Sequence, residues 1–152
     1  MKKAFLMIFA TITLSIFSSN SACALSLNQL PTAKNSDHWK VTFDKPDIND
    51  EKLKKDVFNV YSLDIKNIGD KVYDPQIEVY RDEPNTRTMY WLFTSGVSPL
   101  KQDFHHQNMP VSSNAKNIEI VITWREQPYE KMTNGEKYSA RKYKQTFVFK
   151  QK

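Results

Sequence analysis

Cysteine is nearly absent from this 152-residue chain: Cys23 is the single one, and it lies close to the N-terminus. No disulfide framework therefore holds the rest of the chain, and no thiol is available there as nucleophile or as soft metal ligand. Glycine is scarce too, with three in the whole sequence. No glycine-rich phosphate loop is written in it, and no serine sits in a Gly-x-Ser-x-Gly elbow. Beyond the first twenty residues no apolar run approaches the roughly 20 residues that a membrane-spanning helix needs. No stretch carries a sustained i, i+3, i+4 apolar stripe, and no internal repeat or second domain is apparent. Disulfide scaffolds, helical bundles and nucleotide-binding α/β folds are all excluded by these absences.

What is present begins with an export signal. Lys2 and Lys3 form a basic start, residues 4–17 an apolar run, and residues 18–24 (SSNSACA) a small polar stretch. Ala22 and Ala24 stand three and one residues before Leu25, the small-x-small pattern of a signal peptidase site. Residues 1–24 are thus expected to be a signal peptide cleaved after Ala24, with the protein secreted or exposed on the cell envelope. Lipidation of Cys23 is the alternative. Asn20 stands where lipoprotein signals carry a leucine-like residue, so ordinary cleavage is preferred. Loss of Lys2 and Lys3 lowers the formal charge from +5 by those two cations, leaving a mildly basic chain. Such a surface suits anionic envelope polymers and is equally an ordinary soluble one.

Residues 25–36 (LSLNQLPTAKNS) are polar and aperiodic and are expected to be a lead-in arm. Residues 37–152 then form one domain of period-2 segments, the signal of strands with one buried face. Trp39, Val41 and Phe43 alternate with polar residues, as do Tyr61, Leu63 and Ile65. Tyr73, Ile77 and Val79 belong to a third strand, irregular at Pro75. Residues 89–93 (MYWLF) are apolar on both faces; Trp91 and Phe93 are expected in the core and Tyr90 and Leu92 opposite. Ile118, Ile120, Ile122 and Trp124 alternate cleanly, and Tyr143, Phe147 and Phe149 close the series. Turn signals separate these strands, among them residues 67–70 (NIGD), expected as a tight hairpin, and residues 132–135 (MTNG). Residues 48–57 are the one candidate for a helical turn. The fold class predicted is all-β: an antiparallel sandwich of six to seven strands after the signal peptide.

Residues 60–71 (VYSLDIKNIGDK) resemble the second strand and turn of bacterial secreted immunoglobulin-like domains, in which an alternating strand ends in Asn-x-Gly. The strands at 118–124 and 143–149 are similar to the closing hairpin of such domains. This resemblance covers most of residues 38–150. It implies an immunoglobulin-like sandwich and transfers no functional residues.

Candidate chemistry fails position by position. Adjacent residues of a strand point to opposite faces, so His105 and His106 do not share one ion, and Asp103 is the one close acid. The acid-rich residues 44–51 fail the calcium-loop register, since Lys52 stands where the sharp turn requires glycine. No catalytic residue, metal or cofactor is therefore expected, and the chain is not read as an enzyme. A binding role remains, with two candidate surfaces. Arg141, Lys142, Lys144 and Lys150 mix cations with Tyr138 and Tyr143 along the last strand, a face suited to an anionic envelope polymer or an acidic protein. Nucleic acid is not expected for an exported chain. The second surface is the loop at 126–137, where Pro128, Tyr129, Asn134 and Gly135 mark the longest hairpin tip; through it the protein would act as a secreted inhibitor of a hydrolase. A metal-binding or enzymatic protein centred on the histidine pair is the remaining alternative.

Overall fold

The computed structural model describes residues 25–46, 57–96 and 103–151. The expected signal peptide with its expected cleavage site and Cys23, the acid-rich stretch from Asp47 onward and the candidate helical turn, save Val57, lie outside these residues. The described residues form eleven strands: β1 (Leu25–Ser26), β2 (Thr32–Asn35), β3 (Trp39–Asp44), β4 (Phe58–Asn67), β5 (Tyr73–Asp82), β6 (Met89–Gly96), β7 (Asp103–Ser112), β8 (Asn117–Arg125), β9 (Tyr129–Lys131), β10 (Lys137–Ser139) and β11 (Lys142–Lys150). One sheet has the order β1-β11-β8-β5-β6 and the other β2-β3-β4-β7, with β9 and β10 paired apart from both. All pairings are antiparallel except that of β1 with β11. The fold is an all-β antiparallel sandwich, as the alternation predicts.

Its core is the set of inward positions of both sheets. Trp39, Val41, Phe43, Leu63, Ile65, Met109 and Val111 from the four-stranded sheet meet Ile77, Val79, Ile118, Ile120, Ile122, Trp124, Phe147 and Phe149 from the other. Aromatic rings bridge the layers edge to face, Phe43 with Phe149 at 4.8 Å between centroids and Trp39 with Trp124 at 5.8 Å. That geometry places positive ring edges on negative ring faces. Each such side chain, fully buried, contributes about 1.5–3 kcal/mol relative to exposure. That is why the domain holds together without cross-links.

Three expectations change on this frame. Residues 25–36 are more than a lead-in arm: β1 and β2 join opposite sheets, and Leu27 between them is buried in the core. The turn at residues 67–70 does not close a hairpin, because β4 and β5 belong to different sheets. Asn67 shapes it by accepting the Gly69 N–H at 3.0 Å and donating to the Asp70 carbonyl at 2.7 Å. Ile68 N–H bonds the His38 carbonyl, and Val72 beyond the turn drops into the core, so the chain crosses from layer to layer. Gly69 is required by closeness: a Cβ there would stand 2.9 Å from the Asp37 carbonyl oxygen.

The third change is in β6, which pairs with β5 through a register shift: Val79 faces Phe93, but the next residue, Tyr80, faces Trp91. Leu92 is the extra residue of this bulge, and a one-residue slip reverses every side chain beyond it. Phe93 and Leu92 therefore pack on the core, while Trp91 is 55 % and Tyr90 52 % exposed. Trp91 is not the core residue that its parity with Phe93 predicts.

Candidate functional site

The four cations of the last strand are placed unequally. Lys142, Lys144 and Lys150 share the outer face of β11, as residues an even number apart must. Thr146 and Val148 separate Lys150 from the others, and Lys150 stands beside Asn117 at the far end of the strand. Lys142 lies across from Arg125 and donates to Gln76 Oε1 at 3.0 Å. Arg141 precedes the strand, and its backbone N–H bonds Glu130 Oε1 at 3.2 Å.

That contact joins the two candidate surfaces. The β9–β10 hairpin springs from the same end of the sandwich, and a shallow cleft lies at its base, lined by Glu126, Gln127, Glu130, Ala140, Arg141 and Tyr143. Every residue from 126 to 139 is exposed, Pro128, Tyr129, Asn134 and Gly135 among them. The tip is nevertheless well built. Gly135 N–H bonds the Met132 carbonyl and Met132 N–H the Glu136 carbonyl, each at 2.9 Å, with Gly135 at φ +87°. This is a type I turn completed by a left-handed residue, a conformation that favours glycine. Tyr138 donates to Glu136 Oε2 at 2.6 Å and Asn134 to the same oxygen at 2.9 Å. These bonds, Tyr138's first, hold the Glu136 carboxyl below its ordinary pKa and push the Tyr138 phenol above its own. The Lys137 ammonium lies 4.4 Å from the Tyr129 ring centroid.

From Arg125 to Lys144 the sequence carries six cations (Arg125, Lys131, Lys137, Arg141, Lys142, Lys144) against three acids (Glu126, Glu130, Glu136). That excess equals the whole formal charge remaining once Lys2 and Lys3 are set aside, so the rest of the chain is balanced. The structure thus brings Arg141, Lys142 and Lys144 together with the hairpin, and leaves Lys150 apart.

The histidine pair is divided by the pleat of β7. His105 points outward, its Nδ1 hydrogen-bonded to Asp64 Oδ1 at 2.8 Å. His106 points inward and stacks on Phe93. Strand β7 itself escapes the alternation rule, because a bulge opposite Ser62, with Asn108 at φ 53°, switches its inward set from Phe104 and His106 to Met109 and Val111.

Sequence reasoning misassigned a third surface, the outer face of β5 and β6, by placing Trp91 in the core. Trp91 lies there opposite Tyr80, with Glu78 and Thr94 in the neighbouring row and Glu119 beyond Tyr80 on β8. The signal was the apolar run 89–93 itself, which has more large side chains than one core face accepts. What could not be read was which of them the bulge turns outward.

The fold and these surfaces define a class: a small antiparallel sandwich with an aromatic core that also displays cations and a few aromatic groups outward. No helix among the described residues is long and apolar enough to cross a membrane. The chain belongs to the YozF-like secreted protein family, whose model matches residues 23–152. It is 29% identical over 155 residues to the uncharacterized protein YozF of Bacillus subtilis (strain 168), across 88% of this chain and 86% of that one. The protein is accordingly a secreted one. No solved structure matches it. The immunoglobulin-like resemblance of residues 60–71 reaches as far as the two-sheet architecture, and the family found is the YozF-like one.

Proposed function

We propose that this secreted protein is a non-catalytic binding module of the cell envelope or extracellular space, and that it contacts an anionic envelope polymer through the hairpin and the adjoining basic corner. Cleavage after Ala24 releases it without an acyl group. One observation carries the reading: the whole charge excess of the exported chain lies between Arg125 and Lys144, where Arg125, Arg141, Lys142 and Lys144 gather at the base of a hairpin that itself exposes Tyr129, Met132 and Tyr138. Cations on a convex support attract a polyanion over a screening length of about 8 Å at physiological salt. The exposed apolar groups then add contact area that salt does not weaken.

The test is co-sedimentation of the exported chain with isolated cell walls at low and physiological salt. Wild type is expected to sediment with walls, less so as salt rises, and Lys142→Glu with Lys144→Glu to stay in the supernatant. Equal retention of wild type and double variant would remove the basic corner as the contact. The rigid turn at Asn134-Gly135 also favours a second reading, a secreted inhibitor that presents this tip to a hydrolase. A panel of secreted hydrolases assayed with wild type and a tip-deleted variant decides that one.

A further inference from the structure

The outer face of the five-stranded sheet is divided. The cationic corner lies at the hairpin end of β11, and a different surface occupies the opposite side. Cross-strand register aligns Val148, Glu119, Tyr80 and Trp91 in one row, and Thr146, Val121, Glu78 and Thr94 in the next. With strands about 4.8 Å apart, each row runs roughly 14 Å across the sheet. Trp91 is 55 % exposed, and its indole N–H donates to Thr94 Oγ1 at 2.9 Å. This bond ties the pyrrole edge to the neighbouring row and leaves more than half of the side chain open to solvent. Tyr80 donates to Glu78 Oε2 at 2.7 Å, which holds that carboxylate in place beside the indole. Glu119 faces Tyr80 from the other side, and Asp82 follows along β5.

We propose that this platform binds a neutral glycan of hexopyranose units. A pyranose ring has one face of C–H groups carrying partial positive charge, which complements the negative face of an indole. Its vicinal hydroxyls are donors; Glu78, diagonally next to the indole, and Glu119, one strand further along the row, supply carboxylate acceptors, the stronger kind of hydrogen bond. The carboxylates repel an anionic polymer, so the ligand here differs in charge from the one assigned to the basic corner. The two rows accommodate a short stretch of extended polymer rather than a single sugar. This proposal shares with the preceding one only that the protein binds envelope or extracellular material; it does not depend on the basic corner.

Titration of the exported chain with cellohexaose and, separately, with the N-acetylglucosamine hexamer tests it by tryptophan fluorescence and calorimetry. Trp39 and Trp124 are buried, so a change in exposed emission reports Trp91. Saturable binding of either sugar is expected, insensitive to salt because the ligand is uncharged. The hexamer preferred identifies the source as a plain or an N-acetylated glycan. Trp91→Ala is expected to weaken it at least about tenfold, as loss of a central aromatic anchor does, with Trp91→Tyr retaining most of it. Glu78→Gln is expected to weaken it with the buried tryptophan emission unchanged, which shows the fold intact. Absence of binding by either hexamer at millimolar concentration, or binding unaffected by Trp91→Ala, overturns the proposal, as does capture of a peptide or protein through Trp91 without any sugar response. Salt-dependent wall sedimentation lost in the lysine variant but kept in Trp91→Ala separates the two surfaces, so each fails independently.

Discussion

His106 of one sheet stacks on Phe93 of the other, with ring centroids 4.4 Å apart and planes 17° from parallel. Phe104 flanks both rings, and the three close the side of the sandwich where the outer strands β6 and β7 lie over one another. Burial, and then the nearby His105, push the His106 pKa below its ordinary value of 6.5. The folded state therefore prefers neutral imidazole. Above pH 6.5 both folded and unfolded forms are neutral and the stacking contribution is complete. Below it the unfolded chain takes up the proton first, and stability is lost as pH falls toward the lowered folded value. Urea midpoints between pH 7.5 and 5 are expected to drop more for wild type than for His106→Phe. Parallel pH profiles would remove His106 as the cause.

The register of β8 is testable by neighbours. Ile120 is fully buried between β5 and β11, while Glu119 faces outward. Ile120→Ala is expected to cost about 2–5 kcal/mol, and Glu119→Ala to stay within about 0.5 kcal/mol. Denaturant midpoints in the reverse order would mean the opposite face is buried.

Leu27 distinguishes an integrated N-terminal segment from a loose one. It is 4 % exposed, and its N–H bonds the Lys150 carbonyl at 2.7 Å. Leu27→Ala is expected to destabilise by about 2–5 kcal/mol, like other large core truncations. A detached arm would register next to nothing in the same unfolding curve.

The three glycines are expected to respond differently to alanine. At Gly69 the new Cβ meets the Asp37 carbonyl at 2.9 Å, backbone that cannot swing away, and overpacking of this kind costs about 1–3 kcal/mol. At Gly135 the space is open, but φ is +87°, so the cost is conformational, about 1–2 kcal/mol. Gly96 has neither constraint, and its substitution is expected within about 0.5 kcal/mol of wild type. Thermal midpoints of the three variants give the order directly.

Export leaves a mass signature. Protein recovered from the medium is expected to begin at Leu25 with no acyl modification. An intact mass matching a lipidated Cys23 would instead make the protein membrane-tethered.

Alternation alone determined much of this protein. Trp39, Val41 and Phe43, Leu63 and Ile65, and Ile118, Ile120, Ile122 and Trp124 fall on buried faces because period 2 is a local property of extended backbone. The hairpin turn at Asn134-Gly135 was legible for the same reason: a left-handed residue must be supplied by the local sequence. Tertiary structure decided the rest. Bulges at Leu92 and near Asn108 change which face a side chain takes, and they arise from pairing with distant strands, so Trp91 became an exposed platform and His106 an inward ring at the side of the sandwich. Pairing partners likewise turned residues 67–70 into a crossover and drew residues 25–36 into both sheets. The candidate surfaces were half visible. Lysines and aromatics could be counted along β9 to β11, but only the fold set Arg141 against Glu130 and Trp91 beside Tyr80. Contacts between residues far apart in sequence depend on how two sheets pack, and no local periodicity encodes that.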